Sequence, residues 1–217
     1  MTEQPQVPPL GEARSRATAL GCAPLVDAMG RLHPHRAHLP AFQSPAPERV
    51  LFGPAVTMQF LPTRSDLPRS NREFGDVFAE AVADAPDGAV LVMGSGGYPH
   101  LSHAGGVKLV RVARHGLAGV LADGQLRDFD ELAALDFATW CRGEAVRWGG
   151  DSVMPAAGNV AIEVAGVTVV PGDVIYVDAA GGVVIPRAGL LAVLDEAEQI
   201  ATDDEQSRRR IAAGDED

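Results

Sequence analysis

A strand, a glycine-rich turn, a helix and a second strand follow one another between residues 89 and 122, and this order constrains the fold most strongly. Residues 89–93 and 119–122 are short apolar runs, which are typical of buried strands. Between them, residues 94–97 form a loop rich in glycine and residues 105–115 have helical spacing. A strand, a helix and a strand in this order form a βαβ unit whose two strands pair in parallel. The sequence therefore predicts an α/β fold.

Helix and strand patterns continue on the N-terminal side of this unit. Residues 14–31 place apolar side chains near one face of a helix, and residues 74–83 have the same periodicity. Residues 50–60 read as two strands that a Gly-Pro pair interrupts, because both residues weaken a strand. We expect residues 1–13, which are polar and rich in proline at their start, to form a flexible tail.

The chain changes character after residue 132. Short β-rich runs alternate with Gly and Pro turns up to residue 185, which predicts a small antiparallel or barrel-like lobe. A charged helix is predicted at residues 188–213. We therefore expect residues 14–217 to form a single α/β domain with a small β-rich C-terminal lobe and a C-terminal helix.

The composition argues against nucleic acid and membranes as partners. The chain carries a formal net charge of −11, whereas binding to nucleic-acid phosphates needs a basic face. It has no uninterrupted apolar segment of membrane-spanning length and no signal sequence at its start. Cys22 and Cys141 form no Cys-x-x-Cys pattern, so we expect neither a disulfide framework nor a thiolate metal site. A cytoplasmic location is the simplest expectation.

Arg127 and Asp128 are the main candidates for a functional site. They follow the predicted strand at 119–122 and the Asp-Gly turn at 123–124, so they lie at the carboxyl edge of the sheet, where ligands bind in open α/β folds. A guanidinium beside a carboxylate can hold an anionic substrate and a divalent cation together. A structural interpretation is also open: Asp128 and Glu131 match a helix capping box, and Arg127 could be a solvated surface charge. The two interpretations are compatible, since a capping carboxylate keeps free oxygens.

The glycine-rich loop at residues 94–97 does not match a nucleotide-binding motif. Its three glycines lack the Gly-x-Gly-x-x-Gly spacing, and no Lys-Ser or Lys-Thr pair follows them. Small residues in this loop would instead let a ligand approach the backbone amides at the start of the following helix.

Segments at residues 52–57, 90–97, 119–128 and 166–173 occur together in an order and spacing that resemble one family. Over residues 15–214 the chain resembles the family of regulator of ribonuclease activity A and the 4-hydroxy-4-methyl-2-oxoglutarate aldolases. The most specific element is the Asp-Gly-x-x-Arg-Asp segment in its βαβ setting. The resemblance implies a three-layered β/β/α swivelling-domain fold. It also implies a homotrimer, or a hexamer, with active sites at the subunit interfaces.

The same resemblance implies a lyase that depends on a divalent metal ion, Mg²⁺ or Mn²⁺. Such enzymes cleave small 2-oxo acids by a retro-aldol reaction or decarboxylate them. Both reactions leave a pyruvate-type enolate, whose developing charge the cation stabilises. By position, Arg127 would bind the substrate oxygens and Asp128 would hold the metal. The backbone amides that would cradle the substrate carboxylate belong to Gly105, Gly106, Val107 and Lys108.

One position departs from the family pattern. The aldolases carry an acid twenty-one residues before the arginine, where it orients metal-bound water, and the corresponding residue here is Gly106. His100 or His103 could supply the missing acid–base function, because histidine titrates near neutral pH. Lys108 could instead act as a Schiff-base nucleophile. A further acid, which the C-terminal helix of a neighbouring subunit would contribute, corresponds to Asp203, Asp204 or Glu205.

Two functions from different classes therefore stay open. The first is a metal-dependent carbon–carbon lyase with an altered active site, which the presence of Arg127 and Asp128 favours. The second is a non-catalytic regulatory protein, like the members of the family that bind and inhibit the degradosome endoribonuclease. The absence of a side chain at Gly106 favours this second function.

Overall fold

The computed structural model describes residues 9–66 and 72–214. Six α-helices lie in these ranges: α1 (Leu10–Leu20), α2 (Cys22–Leu32), α3 (Phe74–Ala81), α4 (Gly106–Arg114), α5 (Phe129–Ala133) and α6 (Leu190–Ala213), with a 3₁₀ turn at Arg187–Gly189 before α6. The strands are β1 (His38–Leu39), β2 (Leu51–Pro62), β3 (Val90–Gly94), β4 (Ser102–Ala104), β5 (Gly119–Ala122), β6 (Gln125–Leu126), β7 (Ala138–Trp140), β8 (Val153–Gly158), β9 (Ile162–Val164), β10 (Val167–Val169), β11 (Val174–Asp178) and β12 (Gly181–Ile185).

One mixed sheet of eight strands forms the centre of the molecule. Seven of its strands lie in the order β1-β12-β11-β2-β3-β5-β7, and β8 pairs with β2. The strands β2, β3, β5 and β7 run parallel to one another, and α3, α4 and α5 lie in the connections between them. The predicted βαβ unit is confirmed, with β3 and β5 as its strands. All four parallel strands therefore end at the same edge of the sheet.

Strand β2 connects the parallel part of the sheet to the antiparallel part. Residues 51–54 pair with β11, residues 55–59 pair with β3, and the end of the strand pairs with β8. The prediction of two strands interrupted at Gly53 and Pro54 is wrong, because both residues fit within one strand. A Cβ at position 53 would overlap the carbonyl oxygen of Gly88, so the close approach requires glycine. Pro54 lies where β2 changes partner, and such a position tolerates a residue without an N–H donor.

The elements form three layers. Val56 and Met58 of β2 pack against α3 and α4, and Phe52 on the same face packs with α1, α2 and α6. Leu51 and Ala55 point to the opposite face, which the β9–β10 hairpin covers. This division follows from the alternation of side chains along a strand. The predicted three-layered β/β/α fold is therefore confirmed.

The β-rich part of the chain after residue 132 is present as predicted, and most of it belongs to the main sheet. Strands β11 and β12 extend the sheet beside β2, rather than forming a lobe apart from it, and β9 and β10 form the outer layer. The reason is that β11 is apolar on both faces: Tyr176 packs against the helices and Ile175 against the hairpin. The predicted C-terminal helix is confirmed as α6. None of the helices in the described ranges is both long and apolar enough to span a bilayer.

The predicted helix at residues 14–31 consists of two helices, α1 and α2. Gly21 separates them with a φ of 77°, which glycine adopts without steric cost. Helix α1 begins inside the segment 1–13 that we expected to be a flexible tail, because Ala13 is buried in the cluster that α1 forms with α6. Residues 1–8 of that segment lie outside the described residues.

Candidate active site at the carboxyl ends of the parallel strands

Arg127 and Asp128 lie beyond the carboxyl ends of β3 and β5. After β5 the chain forms β6, which pairs in parallel with β4. The backbone N–H of Arg127 then donates a hydrogen bond to the carbonyl oxygen of Ala104 at 3.2 Å. This pairing holds both residues against the segment that starts α4. Their side chains are 47% and 38% exposed, so both can reach a ligand.

Asp128 turns its carboxylate toward α4 instead of capping α5. Its φ of 68° lies in the left-handed region, and its side chain makes no capping hydrogen bond. Oδ2 instead accepts a hydrogen bond from the N–H of Gly106 at 2.9 Å and lies 3.6 Å from Nε of Arg127. The capping-box interpretation is therefore wrong, and Glu144 accepts the hydrogen bond from the N–H of Phe129 at 2.9 Å. Left-handed conformations of non-glycine residues cost roughly 1 kcal/mol or more and are concentrated at functional sites.

Gly105 and Gly106 give the side chains of the site room to lie directly on the backbone. A Cβ at position 105 would be 2.5 Å from Oδ2 of Asp128 and 2.7 Å from Cγ of Arg127. A Cβ at position 106 would overlap Oε2 of Glu131 and lie 3.1 Å from its Cδ. Both glycines are therefore needed for these three side chains to converge at the start of α4.

The first turn of α4 offers backbone N–H groups to an anion. Helix starts leave up to four N–H groups without an intrahelical partner, and the first N–H to bond back along this turn is that of Leu109, at 3.0 Å. The N–H of Gly106 binds Asp128. The N–H groups of Val107 and Lys108 have no hydrogen bond to any described residue. With the positive end of the helix dipole, these two groups suit a carboxylate.

The ammonium group of Lys108 is half-buried beside these amides. Its Nζ donates to the carbonyl oxygen of His103 at 3.2 Å and lies 5.2 Å from the centre of the Phe74 ring. Burial lowers the pKa of Lys108, the positive charge of Arg127 lowers it further, and the carboxylate of Glu73 acts in the opposite direction. A lowered pKa is a property of Schiff-base lysines, so that alternative role of Lys108 stays a prediction.

The two candidate acid–base histidines have different surroundings. His103 is 2% exposed, and its ring nitrogens face the carbonyl oxygens of Leu101 at 2.8 Å and Ser95 at 3.0 Å. Burial lowers the pKa of His103, and the hydrogen bonds to the two carbonyls partly oppose this shift. His100 is exposed in the loop before β4, with its ring centre 6.1 Å from that of Tyr98. His103 therefore helps to hold this loop, whereas His100 is open to solvent.

A cavity of about 180 Å³ brings most of the predicted site together. Six predicted residues line it: His103, Gly105, Val107, Lys108, Arg127 and Asp128. Trp148, which is 62% exposed, lines it as well. A second cavity of about 430 Å³ adjoins it, and the two share five lining residues: Ser102, His103, Val107, Lys108 and Trp148. Trp148 is not among the residues predicted from the sequence, although it is an aromatic residue within the otherwise polar and glycine-containing segment 147–151.

The predicted residues of α6 lie elsewhere in the chain: Asp203, Asp204 and Glu205. They are exposed, and α6 packs against α1 and α2 rather than against α4. Asp203 accepts a hydrogen bond from Gln199 at 2.8 Å, and Glu205 accepts one from Arg209 at 2.8 Å. Neither these residues nor His100 are among the described residues that line the cavity. A role for the α6 acids in the site of a neighbouring subunit stays a prediction.

An ion pair between the buried Asp123 and the partly exposed Arg142 fixes the strand ends beneath the site. Asp123 directly follows β5 and is 3% exposed. Its Oδ1 accepts from Nη2 of Arg142 at 2.6 Å and from the N–H of Ala165 at 3.2 Å, and its Oδ2 accepts from the hydroxyl of Ser95 at 2.9 Å. The carboxylate therefore ties β5 to the loop after β3 and to the β9–β10 hairpin. The sequence predicts Asp123 only as a turn residue, although its place directly after a buried strand is a signal of a structural or functional role.

The site can accept a cation with the ligand preferences of Mg²⁺. Among the described residues no group of three or more His, Cys, Asp or Glu side chains could hold a metal ion, which argues against a closed site such as structural zinc requires. Mg²⁺ instead keeps several waters and binds through one or two carboxylates together with substrate oxygens. Asp128 fits this requirement, because its Oδ1 has no hydrogen bond within the described residues.

The comparison with known proteins shows the family. The sequence model of the RraA-like family, described as Aldolase/RraA, matches residues 22–185, and the chain therefore belongs to the RraA-like family. A solved structure with the same fold is that of RraAS2 from Streptomyces coelicolor, described as an unusual member of the RNase ES inhibitor RraA protein family. It aligns with a TM-score of 0.78 at 27% identity, over 94% of this chain and 100% of that chain.

Two curated relatives are similar over shorter stretches. A protein from Halalkalibacterium halodurans, provisionally named 4-hydroxy-4-methyl-2-oxoglutarate aldolase, is 33% identical over 135 residues, which cover 61% of this chain and 63% of that protein. Protein DlpA of Legionella pneumophila is 26% identical over 164 residues, which cover 76% of this chain and 26% of that protein. The chain thus spans less than two thirds of the length of either relative. Matched members of the family thus carry both aldolase and ribonuclease-inhibitor names.

Proposed function

We propose that this chain is a divalent-metal-dependent carbon–carbon lyase that acts on a small 2-oxo acid by retro-aldol cleavage or decarboxylation. The observation that carries the proposal is the convergence of Arg127 and Asp128 with N–H groups of α4 that have no partner in the described part of the chain. They meet over two glycines, where a side chain would block them. A guanidinium, a carboxylate and free amides within one small cavity suit an anionic substrate that also chelates a cation.

Each group of the site has a role in this chemistry. The N–H groups of Val107 and Lys108 bind the carboxylate of the 2-oxo acid, and the guanidinium of Arg127 binds the 2-oxo oxygen as negative charge develops on it. Asp128 holds Mg²⁺ or Mn²⁺. When bound, the cation acts as a Lewis acid that stabilises a pyruvate-type enolate. The ammonium group of Lys108 adds a second positive charge beside the substrate carboxylate.

A proton must also be exchanged during the reaction. Of the two histidines that the sequence suggests, His103 lines the cavity, and its Nε2 must leave the carbonyl oxygen of Ser95 before it can exchange a proton. His100 is exposed and needs a movement of the loop before β4 to reach the substrate. The proposal therefore assigns this role to one of these two side chains, or to a water molecule held in the cavity.

The alternative is a non-catalytic regulatory protein that binds another protein. Exposed apolar side chains favour it, because Val107, Val146 and Trp148 are 87%, 90% and 62% exposed and two of them lie at the mouth of the cavity. Such residues are typical of protein interfaces. The same surface also suits the homotrimer or hexamer that we expect, in which a neighbouring copy would complete each site. The enzyme is preferred, because a binding surface alone gives no reason for the glycine-lined convergence of Arg127 and Asp128.

Pyruvate release tests the proposal directly. We expect the wild-type protein to release pyruvate from oxaloacetate or from 4-hydroxy-4-methyl-2-oxoglutarate in the presence of Mg²⁺ or Mn²⁺. Pyruvate release should stop when EDTA is added. Arg127→Ala should lower kcat/KM by roughly 100- to 1,000-fold, because it removes a charged group that stabilises the developing oxyanion. Arg114→Ala is the matched control, since Arg114 is exposed near the other end of α4.

Two results would count against a lyase. One is an absence of metal-dependent release from both substrates. The other is release that Arg127→Ala leaves unchanged, which would mean that the site described here does not carry the activity. A partner protein that binds equally well to the wild type and to Arg127→Ala would then support the regulatory alternative.

A further inference from the structure

The space beside Gly106 is occupied by a carboxylate from another helix. A Cβ built on Gly106 would overlap Oε2 of Glu131, and it would lie 3.1 Å from Cδ and 3.6 Å from Cβ of the same residue. All three of the nearest atoms belong to Glu131. The position that lacks an acidic side chain in the sequence is therefore filled by an acidic side chain in the structure.

The geometry of α5 explains how Glu131 reaches this position. Helix α5 directly follows Asp128, and residues three apart at a helix start lie on the same side of it. Helices α4 and α5 are in contact. Asp128 accepts the hydrogen bond from the N–H of Gly106, and Glu131 occupies the space where a Cβ of Gly106 would lie, so both carboxylates contact the same residue.

The carboxylate of Glu131 is available to a ligand. The structure records no hydrogen bond or ion pair for it among the described residues, and Glu144 rather than Glu131 serves the start of α5. Oδ1 of Asp128 is likewise without a hydrogen bond within the described ranges. The carboxylate of Glu131 and Oδ1 of Asp128, both at the first turn of α4, provide the one or two oxygen ligands that Mg²⁺ or Mn²⁺ takes from a protein.

We propose that Glu131 is the second acidic group of the metal site, and that it does from α5 what a side chain at position 106 would do from α4. Together with Asp128 it binds the cation or a water molecule on the cation. Gly106 is a requirement of this arrangement, because any side chain there would displace the carboxylate. This inference rests on the proposed function, since it assigns a ligand for the cation that the lyase reaction uses.

Binding of Mn²⁺ to the metal-free protein tests the assignment without an activity assay. Glu131→Gln keeps the size of the side chain and removes its charge, and we expect it to weaken Mn²⁺ binding by roughly 10- to 100-fold, measured by isothermal titration calorimetry. Asp130→Asn is the matched control, because Asp130 is the adjacent acid in the first turn of α5, is exposed, and has no recorded contact with Gly106. We expect the control to bind Mn²⁺ within about twofold of the wild type, on the scale of a solvated charge.

Two further variants test the position of the carboxylate. Gly106→Ala retains Glu131 but pushes its side chain away, so it should weaken Mn²⁺ binding to a similar extent as Glu131→Gln. The double variant Gly106→Asp with Glu131→Ala puts an acid back from the other helix and should recover at least part of the lost affinity. A purely structural role, such as interaction with the dipole of α4, predicts lower melting temperatures with unchanged Mn²⁺ affinity.

The outcomes separate this inference from the proposed function. If the wild type binds Mn²⁺ and Glu131→Gln binds it equally well, the inference is overturned while the lyase proposal stands. If the wild type binds no Mn²⁺, with or without pyruvate, both are overturned. If Asp130→Asn weakens binding as much as Glu131→Gln, the effect is one of net charge and the assignment of Glu131 is also overturned.

Discussion

At the scale of single residues, one backbone dihedral determines what Asp128 can do. With a negative φ its carboxylate would lie over the start of α5 and cap that helix. At the observed φ of 68° the carboxylate meets the N–H of Gly106 instead. The sequence shows the Arg-Asp pair and its place at the edge of the sheet. It does not show whether φ of Asp128 is positive or negative. The position of the site could therefore be predicted, whereas the direction of its carboxylate could not.

The buried carboxylate of Asp123 leads to a prediction about stability. Asp123→Ala should lower the free energy of unfolding by about 2 kcal/mol, because it removes a buried carboxylate that accepts hydrogen bonds from the partly exposed guanidinium of Arg142 and from the hydroxyl of Ser95. Asp151→Ala is the control: its partner Arg147 is 3.7 Å away and both side chains are more than half exposed, so the loss should be below about 1 kcal/mol. Urea denaturation measures both. Equal losses for the two variants would mean that burial does not strengthen the Asp123 pair.

At the scale of elements, glycines that the sequence does not distinguish have different structural roles. Gly53 lets β2 approach a neighbouring carbonyl, and Gly105 and Gly106 make room for the side chains of the site. Gly30 lies within α2, and outside the backbone of its own helix no atom of the described residues lies within 4 Å of a Cβ built on it. The sequence does not distinguish these cases, because the crowding comes from residues that are distant along the chain.

Gly30 therefore leads to a prediction of increased stability, in contrast to the loss of stability expected for Asp123→Ala. Gly30→Ala should raise the free energy of unfolding by roughly 0.5–1 kcal/mol, because alanine loses less backbone freedom than glycine on entering a helix and meets no neighbour here. Gly105→Ala serves as the contrasting variant, since its Cβ would crowd Arg127 and Asp128. Thermal unfolding followed by circular dichroism checks both. A destabilised Gly30→Ala would mean that this part of α2 is packed against something else.

The elements that the sequence predicted have a clear apolar pattern. Strand β5 lies at residues 119–122 as predicted, because four consecutive buried residues fit between two turns. Strand β8 was not predicted, because only its first two residues are buried and it contains Pro155. Strands β4 and β6 are too short to leave a periodic signal. Patterns of burial could thus be predicted where an element is buried along its whole length, and not where tertiary contacts alone define it.

At the scale of the whole molecule, charged side chains and exposed apolar side chains are unevenly distributed over the surface. The chain has a net charge of −11, yet Lys108 and Arg127 lie together at the cavity. Next to them, Val107 and Trp148 are mostly exposed. A solvated apolar group beside a functional cavity is unfavourable unless something covers it. This arrangement supports, at the level of a prediction, an assembly in which another copy of the chain lies against the site.

The oligomeric state can be checked by light scattering. We expect a particle of three times, or six times, the chain mass of 22.7 kDa. Trp148→Asp should reduce the mass if the surface at the cavity mouth is the subunit interface, because an interface core rarely accepts an unpaired charge. Val170→Asp, at a half-exposed position after β10, is the control and should leave the mass unchanged. A monomeric wild type would contradict the expected trimer.

The pairing of β2 has a consequence for the folding of this protein during its synthesis on the ribosome. The edge of β2 that β11 covers stays open until residues 174–178 have been synthesised, and β1 waits for residues 181–185 in the same way. Open strand edges are templates for aggregation, and pairings between distant segments form slowly. The nascent chain therefore carries an unprotected apolar edge during about half of its synthesis, until β11 is available to pair with β2.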